Sequence, residues 1–378
     1  MTNEVPRADL GAAPGGSPAA PGASYAAAGV DIAAGETAVE LMRKWVATAQ
    51  RPESVGGLGG FAGLFDASAL KGYRRPLLAS ATDGVGTKVA VAQRLDVHDT
   101  IGRDLVAMVV DDLVVCGAEP LFMTDYLCVG KVHPERVAAL VRGIAEGCVL
   151  AGCALVGGET AEHPGLLGED EYDVAGAATG VVEADELLGP ERVRAGDVVL
   201  ALGSSGLHSN GYSLARHVFL ERAGWRLERH VPEFGRTLGE ELLEPTRIYA
   251  LDCLALRDAV AVHAFAHVTG GGLANNLARV LPAGLRAGID RGTWAPAPVF
   301  GLLGELGGVE RAELERTFNM GVGMVAVLPP ASVAPALELL AGRGVPAWVM
   351  GEIAEADGPP AAGPAAGGSV TLRGDYQG

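Results

Sequence analysis

No stretch of this chain stays apolar long enough to span a bilayer, so a membrane protein is not expected. It contains no G-x4-G-K-S/T run, which excludes a P-loop nucleotide site. Basic residues are few: 29 Lys and Arg face 46 Asp and Glu, for a net charge of −17. Nucleic acid needs a basic face to displace its counterions, so no such partner is expected. Cysteine is scarce and odd in number, with Cys116, Cys128, Cys148, Cys153 and Cys253 mostly inside apolar runs. Cys148 and Cys153 do not have metal-ligand spacing, and the odd total suits a reduced, cytoplasmic protein. The start, M-T-N-E-V-P-R-A-D-L, lacks an apolar h-region, so no signal peptide is expected. A length of 378 residues predicts two domains, each able to bury a core.

The chemistry gathers between Pro76 and Pro120. The apolar run Leu77 to Ala81 reads as a strand that delivers Asp83, Gly84, Thr87 and Lys88 to its C-terminal end. A helix is expected from Thr100 to Cys116, stopped by Gly117 and Pro120. Leu105, Met108, Val109, Leu113 and Cys116 form its apolar face, and Asp112 falls on that face. Asp111 falls off it and reads as solvated. A buried carboxylate is costly unless paired or metal-bound. Magnesium and nucleotide phosphates suit two such acids beside a glycine turn. Lys88, straight after G-V-G-T, reads as a phosphate contact or as a surface lysine opening the next helix.

Residues 1–24 are Ala, Gly, Pro and Ser, a composition that cannot support packing and predicts a floppy extension. Glu36 to Gln50 predicts an amphipathic helix with Val39, Met42 and Val46 inward. The run G-G-L-G-G-F-A-G follows, with Gly57, Leu58, Gly59 and Gly60 at its centre. No hydrophobic strand precedes it, so it is not a dinucleotide fingerprint. It is a linker or a mobile loop whose bare amides close over phosphates. Leu121 to Val129 and Tyr172 to Glu183 predict strands, and Pro134 to Ala151 a helix. A short strand, Ala154 to Val156, runs into G-G-E-T-A-E and presents Glu159 as a third candidate metal ligand, or as a plain turn acid.

The N-terminal domain is expected over residues 25–188 and the second α/β domain over 189–356. In the second, G-S-S-G-L-H-S-N-G-Y-S-L follows a strand expected at Asp197 to Leu202. Ser209, Asn210 and Gly211 can cap the next helix and meet an anion. His208 separates the readings, because capping does not need it. His267, Thr269, Gly270 and Gly271 form another loop at a strand end, where α/β proteins place ligands. Arg247 reads as a ribose-phosphate contact or a helix-start salt bridge. Residues 357–378 return to Gly, Ala and Pro and are expected to fray.

D-G-V-G-T-K with D-L-V-V-C-G-A-E-P resembles the phosphoribosylformylglycinamidine cyclo-ligase family, in register from about Tyr25 to Glu352. G-G-L-G-G-F, G-E-T-A-E-x-P-G, H-S-N-G-Y-S-L and H-V-T-G-G-G together make the match specific. Asp112 to Pro120 also resembles the D-x4-G-A-x-P signature of a wider ATP-binding superfamily. Asp111 departs from the family, which usually shows Asn there. The resemblance implies an α/β (α+β) enzyme whose N-terminal sheet pairs across a homodimer to form a barrel. It implies ATP-dependent, magnesium-assisted closure of formylglycinamidine ribonucleotide to aminoimidazole ribonucleotide. Asp83 and Asp112 would hold magnesium, Lys88 and the glycine loop the phosphates, and His208 would meet the reacting group. A sister kinase or synthetase would need a catalytic cysteine or a different second loop. A silent nucleotide-binding protein would lack Lys88, Asp112 or Glu159, and all three are present.

Overall fold

A computed structural model describes residues 24–25, 28–57, 59–356 and 367–377. Leu58 and residues 1–23 of the N-terminal extension expected over 1–24 lie outside the described residues. The N-terminal half begins with helix α1 (Ile32–Thr48), capped by Asp31, whose carboxylate accepts from Ala34 N. Ala38, Met42 and Val46 are its buried residues, whereas Val39 is exposed, against expectation. The two-residue strands β1 (Ser54–Val55) and β2 (Leu64–Phe65) pair antiparallel and enclose the glycine run as a hairpin loop. Next come β3 (Pro76–Gly84), α2 (Val89–Leu95), α3 (Asp99–Val114), β4 (Glu119–Val129), α4 (Pro134–Ala151), β5 (Ala154–Glu162) and β6 (Tyr172–Glu183).

These strands form a four-stranded sheet in the order β3-β6-β4-β5, parallel only between β4 and β5. In β6 the residues Tyr172, Val174, Gly176 and Ala178 are buried while Asp173, Ala175 and Ala177 face out, as period-two alternation requires, and Gly180, Val181 and Val182 are all buried at its end. The buried face packs on α3 and α4. Those two helices approach closely at Gly143, where a Cβ would stand 1.9 Å from Asp99 O.

Helix α3 differs from its expected amphipathic form. Ile101, Gly102, every residue from 104 to 111, Leu113 and Val114 are buried, while Asp112 is exposed. The helix lies between the N-terminal sheet and the C-terminal half, so both sides are covered. The expected assignment is therefore reversed: Asp111 is the buried acid and Asp112 reaches a crevice.

The C-terminal half contains β7 (Val198–Gly203), α5 (Tyr212–Arg216), β8 (His230–Val231), β9 (Arg236–Thr237), α6 (Leu238–Leu242) and α7 (Ala250–Ala259). It continues through β10 (Ala264–His267), α8 (Gly272–Arg279), β11 (Leu285–Asp290), α9 (Pro298–Gly307) and α10 (Arg311–Thr317). It ends with β12 (Val322–Leu328), α11 (Val333–Gly342), β13 (Ala347–Glu355) and β14 (Ser369–Arg373). A mixed sheet runs β10-β12-β7-β13-β11-β14, with β14 parallel to β11. One face carries Leu200, Leu202, Phe265, Met324 and Ala326 into the same core as the N-terminal half. The other face builds a second core from Val199, Ala201, Ala264, Val325 and Val327. The two halves thus share one apolar core across their boundary.

The frayed tail expected after residue 357 is corrected for residues 367–377. Strand β14 closes the sheet edge, and Tyr376 packs edge-on against Trp294 at 5.2 Å and donates to Glu315 Oε1 at 3.0 Å. Residues 357–366 lie outside the described residues.

Candidate active site

Strands β3 and β10 and the loop after β7 open on one crevice, and α3 forms its floor. Asp83 is the last-but-one residue of β3 and accepts a hydrogen bond from Gly84 N at 2.7 Å. Partial burial pushes its carboxyl up, and the nearby Asp112 charge adds to that. Asp112 accepts from His267 Nδ1 at 2.9 Å. His267 closes β10, and its ring is buried while the Asp112 side chain stays 47% exposed. Burial alone pushes that imidazole down, but the Asp112 hydrogen bond and the charges of Asp111, Asp112 and Asp83 carry it above its usual range. Its Nε2 has no partner.

Asp111 accepts from Tyr249 N through both oxygens, at 3.0 and 3.1 Å. Full burial pushes its carboxyl up to about 7, which corrects the solvated reading.

The loop after β7 is not a helix cap. The N-cap of α5 is Gly211, with no side-chain capping bond, so Ser209 and Asn210 are not used for that purpose. Ser209 Oγ lies 2.9 Å from Thr246 Oγ1. Asn210 Oδ1 is buried without a partner and points towards Gly270, where a Cβ would meet it at 3.8 Å. The loops after β7 and β10 therefore face each other. Thr269 O and Gly270 O accept from Asn276 Nδ2, and Gly271 caps α8 in the left-handed region. Arg247 has no carboxylate partner among the described residues, and its Nε is buried and unpaired, which removes the helix-start salt bridge.

His208 adopts a left-handed backbone, with φ of 62°. Its Nε2 accepts from Ser205 N at 3.1 Å, so in the neutral ring the proton sits on Nδ1, which has no partner. Burial, reinforced by His267, Lys88 and Arg247, pushes this imidazole well down. His208 is therefore held neutral, with its proton on the unpartnered Nδ1. Gly323 makes room for it: a Cβ there would stand 2.5 Å from His208 Cε1 and 2.0 Å from Tyr249 Oη.

Two further sequence expectations fail. Lys88 is wholly buried and donates to Asp104 Oδ1, His208 O and Glu244 O, so it has no donor left for a phosphate. Glu159 lies within β5, which is longer than expected, on the opposite edge of the sheet from Asp83. Three strand spacings separate those edges, about 14 Å, so in one chain Glu159 does not join Asp83 and Asp112 around an ion. It lines a cavity of about 790 Å³ instead, with Gly57, Gly59, Gly60, the buried side of α1 and Asp125. Burial pushes the Asp125 carboxyl up to about 7.

Asp104 and Asp125 escape the sequence pattern. The signal for Asp104 was its seven-residue spacing from Asp111, two acids on one side of a helix. Asp125 alternates with the outward Thr124 and Tyr126, so the period of β4 places it on the helix side.

The fold and the crevice define a class first. The description "AIR synthase related protein, N-terminal domain" matches residues 66–182, and "AIR synthase related protein, C-terminal domain" matches residues 194–360. A thiamine-monophosphate kinase from Stenotrophomonas maltophilia shares this fold at 19% identity, with a TM-score of 0.64 over 90% of this chain and 97% of that one. The hydrogenase maturation protein HypE in complex with ATP also shares it, at 19% identity and a TM-score of 0.57 over 82% of this chain and 84% of that one. Within the class, the chain is 52% identical over 325 residues to phosphoribosylformylglycinamidine cyclo-ligase of Geobacillus kaustophilus, covering 86% of this chain and 94% of the relative. It is 53% identical over 320 residues to that of Desulfitobacterium hafniense, covering 85% and 93%. The chain belongs to the phosphoribosylformylglycinamidine cyclo-ligase family.

Proposed function

We propose that this chain closes formylglycinamidine ribonucleotide to aminoimidazole ribonucleotide in purine biosynthesis, consuming ATP and releasing ADP and phosphate. The observation that carries the reading is a set of buried, unpartnered polar atoms on facing loops: His208 Nδ1, Asn210 Oδ1, Arg247 Nε and His267 Nε2. A folded chain leaves such groups unpaired at a cost, and a polar, anionic substrate satisfies them.

In the reaction the formyl oxygen attacks the γ-phosphorus, and the bond to the bridging oxygen breaks as ADP leaves. The amidine-side nitrogen then attacks the formyl carbon. The carbon–oxygen bond breaks with phosphate as leaving group, a proton is lost, and the ring is closed. The protein supplies positioning and charge. His208 Nδ1–H donates to the formyl oxygen as charge develops on it. Arg247 meets the ribose phosphate. Ser209, Asn210, Gly211, Thr269, Gly270 and Gly271 line the substrate. His267, its imidazole pushed up by the Asp112 hydrogen bond, faces the transferred phosphoryl group with its unpartnered Nε2.

Magnesium fits Asp83 and Asp112. Asp83 is pushed up partly by Asp112, and a dication relieves that repulsion. Among the described residues no three acids, histidines or cysteines gather into a ligand set, so phosphate oxygens complete the shell. Bound there, the ion would neutralise phosphate charge. The nucleotide phosphates take the Asp83 turn, where Gly84 offers an amide and Thr87 a hydroxyl; Gly57, Gly59 and Gly60 line the cavity at the far edge of the sheet and do not reach that turn within one chain.

A homodimer belongs to the same reading. The outer face of the N-terminal sheet is open, with Leu78 at 64% and Tyr126 at 40% exposure, and a second copy covers it as a barrel. The cytoplasm is the proposed compartment, and no described helix is long and apolar enough to cross a membrane.

A coupled ADP-release assay tests the function. ADP release that needs formylglycinamidine ribonucleotide and yields the aminoimidazole is expected. Release that needs thiamine monophosphate instead would move the chain to a sister kinase.

A further inference from the structure

Lys88 follows directly on the turn that carries Asp83, Gly84 and Thr87, yet its ammonium crosses to the other half of the molecule. It donates to Asp104 Oδ1 at 2.8 Å, to His208 O at 3.2 Å and to Glu244 O at 2.6 Å, using its three donors. Asp104 Oδ1 also accepts from Thr246 N and Thr246 Oγ1, each at 2.7 Å. The Thr246 proton is thereby committed to Asp104, so Ser209 Oγ donates to Thr246. One buried ion pair holds the carbonyl of His208, the hydroxyl of Ser209 through Thr246, and the segment leading into Arg247.

A buried ion pair is a poor source of stability, since apolar residues of the same volume do as well. This one is not tuned for stability either, because Asp104 Oδ2 is buried without a partner. What apolar residues cannot do is aim donors at two main-chain carbonyls. One of them belongs to His208, whose left-handed φ of 62° needs an external restraint.

We propose that Lys88 and Asp104 are positioning residues that register the nucleotide-side turn against the His208 and Arg247 segments, coupling phosphoryl transfer to ring closure. This rests on the proposed reading of the crevice. Without the pair, the formyl group and His208 drift relative to the γ-phosphate. Phosphoryl groups are then lost to water, and ADP is released without a ring being made.

The test compares wild type with Lys88→Met/Asp104→Asn, which removes both charges and keeps an acceptor for Thr246. Melting temperature, kcat, KM for ATP and ADP released per ring closed are measured. The double variant is expected to melt near wild type, keep KM for ATP within about twofold, and lose about 100-fold in kcat, the scale of a small misplacement. It is also expected to release more than one ADP per ring. Lys88→Arg does not rescue coupling, because a planar fork cannot reproduce three converging donors. Wild-type kcat with one ADP per ring in the double variant overturns the proposal. Should the double variant not fold, Thr246→Val decides: it keeps the ion pair and loses only the hydroxyl link. Coupling should weaken in Thr246→Val and return in Thr246→Ser, and tight coupling in Thr246→Val overturns the proposal. A wild type that shows no ADP release with formylglycinamidine ribonucleotide fails the proposed function instead, before any variant is read.

Discussion

The loop after β7 and the end of β10 each bring a buried histidine to the same crevice, and the two rings are pushed in opposite directions. His208 accepts from a main-chain N–H, has cationic neighbours, and is held neutral. His267 is just as buried, but its hydrogen bond to Asp112 and the charges of Asp111, Asp112 and Asp83 push its imidazole up. Burial is common to both, so the neighbours decide. One crevice thereby holds two imidazoles whose proton affinities are pushed in opposite directions.

The strongest way to break this contrast is to remove the acid behind His267. Asp112→Asn is expected to lower turnover by roughly 10³-fold, the upper scale for one electrostatic group at a reacting phosphoryl. Because Asp112 is half exposed, the melting temperature should hold. A collapse in melting instead would make Asp112 a structural acid.

The next pair of variants asks whether the two rings do different work. His208→Ala should cost about 100-fold in kcat with ATP affinity kept. His267→Ala should cost a similar factor and also lower the melting temperature, since Asp111 and Asp112 lose their only close imidazole. Steady-state kinetics and melting on the two single variants separate these outcomes. Turnover near wild type in His208→Ala would end its role as donor to the formyl oxygen.

Gly323→Ala sharpens the contrast by moving one ring only. The new methyl collides with His208 Cε1 and Tyr249 Oη and leaves His267 alone. A loss of about tenfold in kcat is expected, with ADP release dependent on substrate as before.

The smallest effect concerns Asp125, across the sheet from this crevice. Its folded carboxyl titrates near about 7, against about 3.9 unfolded. Between those values the folded state binds more protons, so stability falls as pH rises from about 4 to about 7 and is level above that. Asp125→Asn should remove this slope and raise the melting temperature at pH 8 by on the order of 3 °C. Melting curves across that range check it, and an unchanged slope would show that Asp125 is not the group responsible.

Local pattern made much of the fold legible. Helix α4 runs over the predicted residues, from a proline at its first position to a left-handed glycine at its end. Strand β6 matches its expected bounds because one of its faces is open to solvent. The pattern failed where an element is covered on both sides. Helix α3 is buried nearly all round, so an apolar stripe cannot say which of Asp111 and Asp112 is enclosed. Strand β14 was missed because it follows a Gly, Ala and Pro segment and gains order only by pairing with β11.

The chain's own residues determined the strands that end in D-G-V-G-T-K and H-V-T-G-G-G, the loop with His208, and the membership of the family. Those depend on short-range spacing, which a linear pattern carries. Tertiary structure alone decided that Lys88 is committed to Asp104, that Glu159 stands apart from Asp83, and that one imidazole is pushed down while the other is pushed up. Each of those outcomes is set by a partner distant in sequence, such as Thr246 for Asp104 at 142 residues and Asp112 for His267 at 155. Burial and Coulomb energy act through space, so they exist only once the chain has closed on itself.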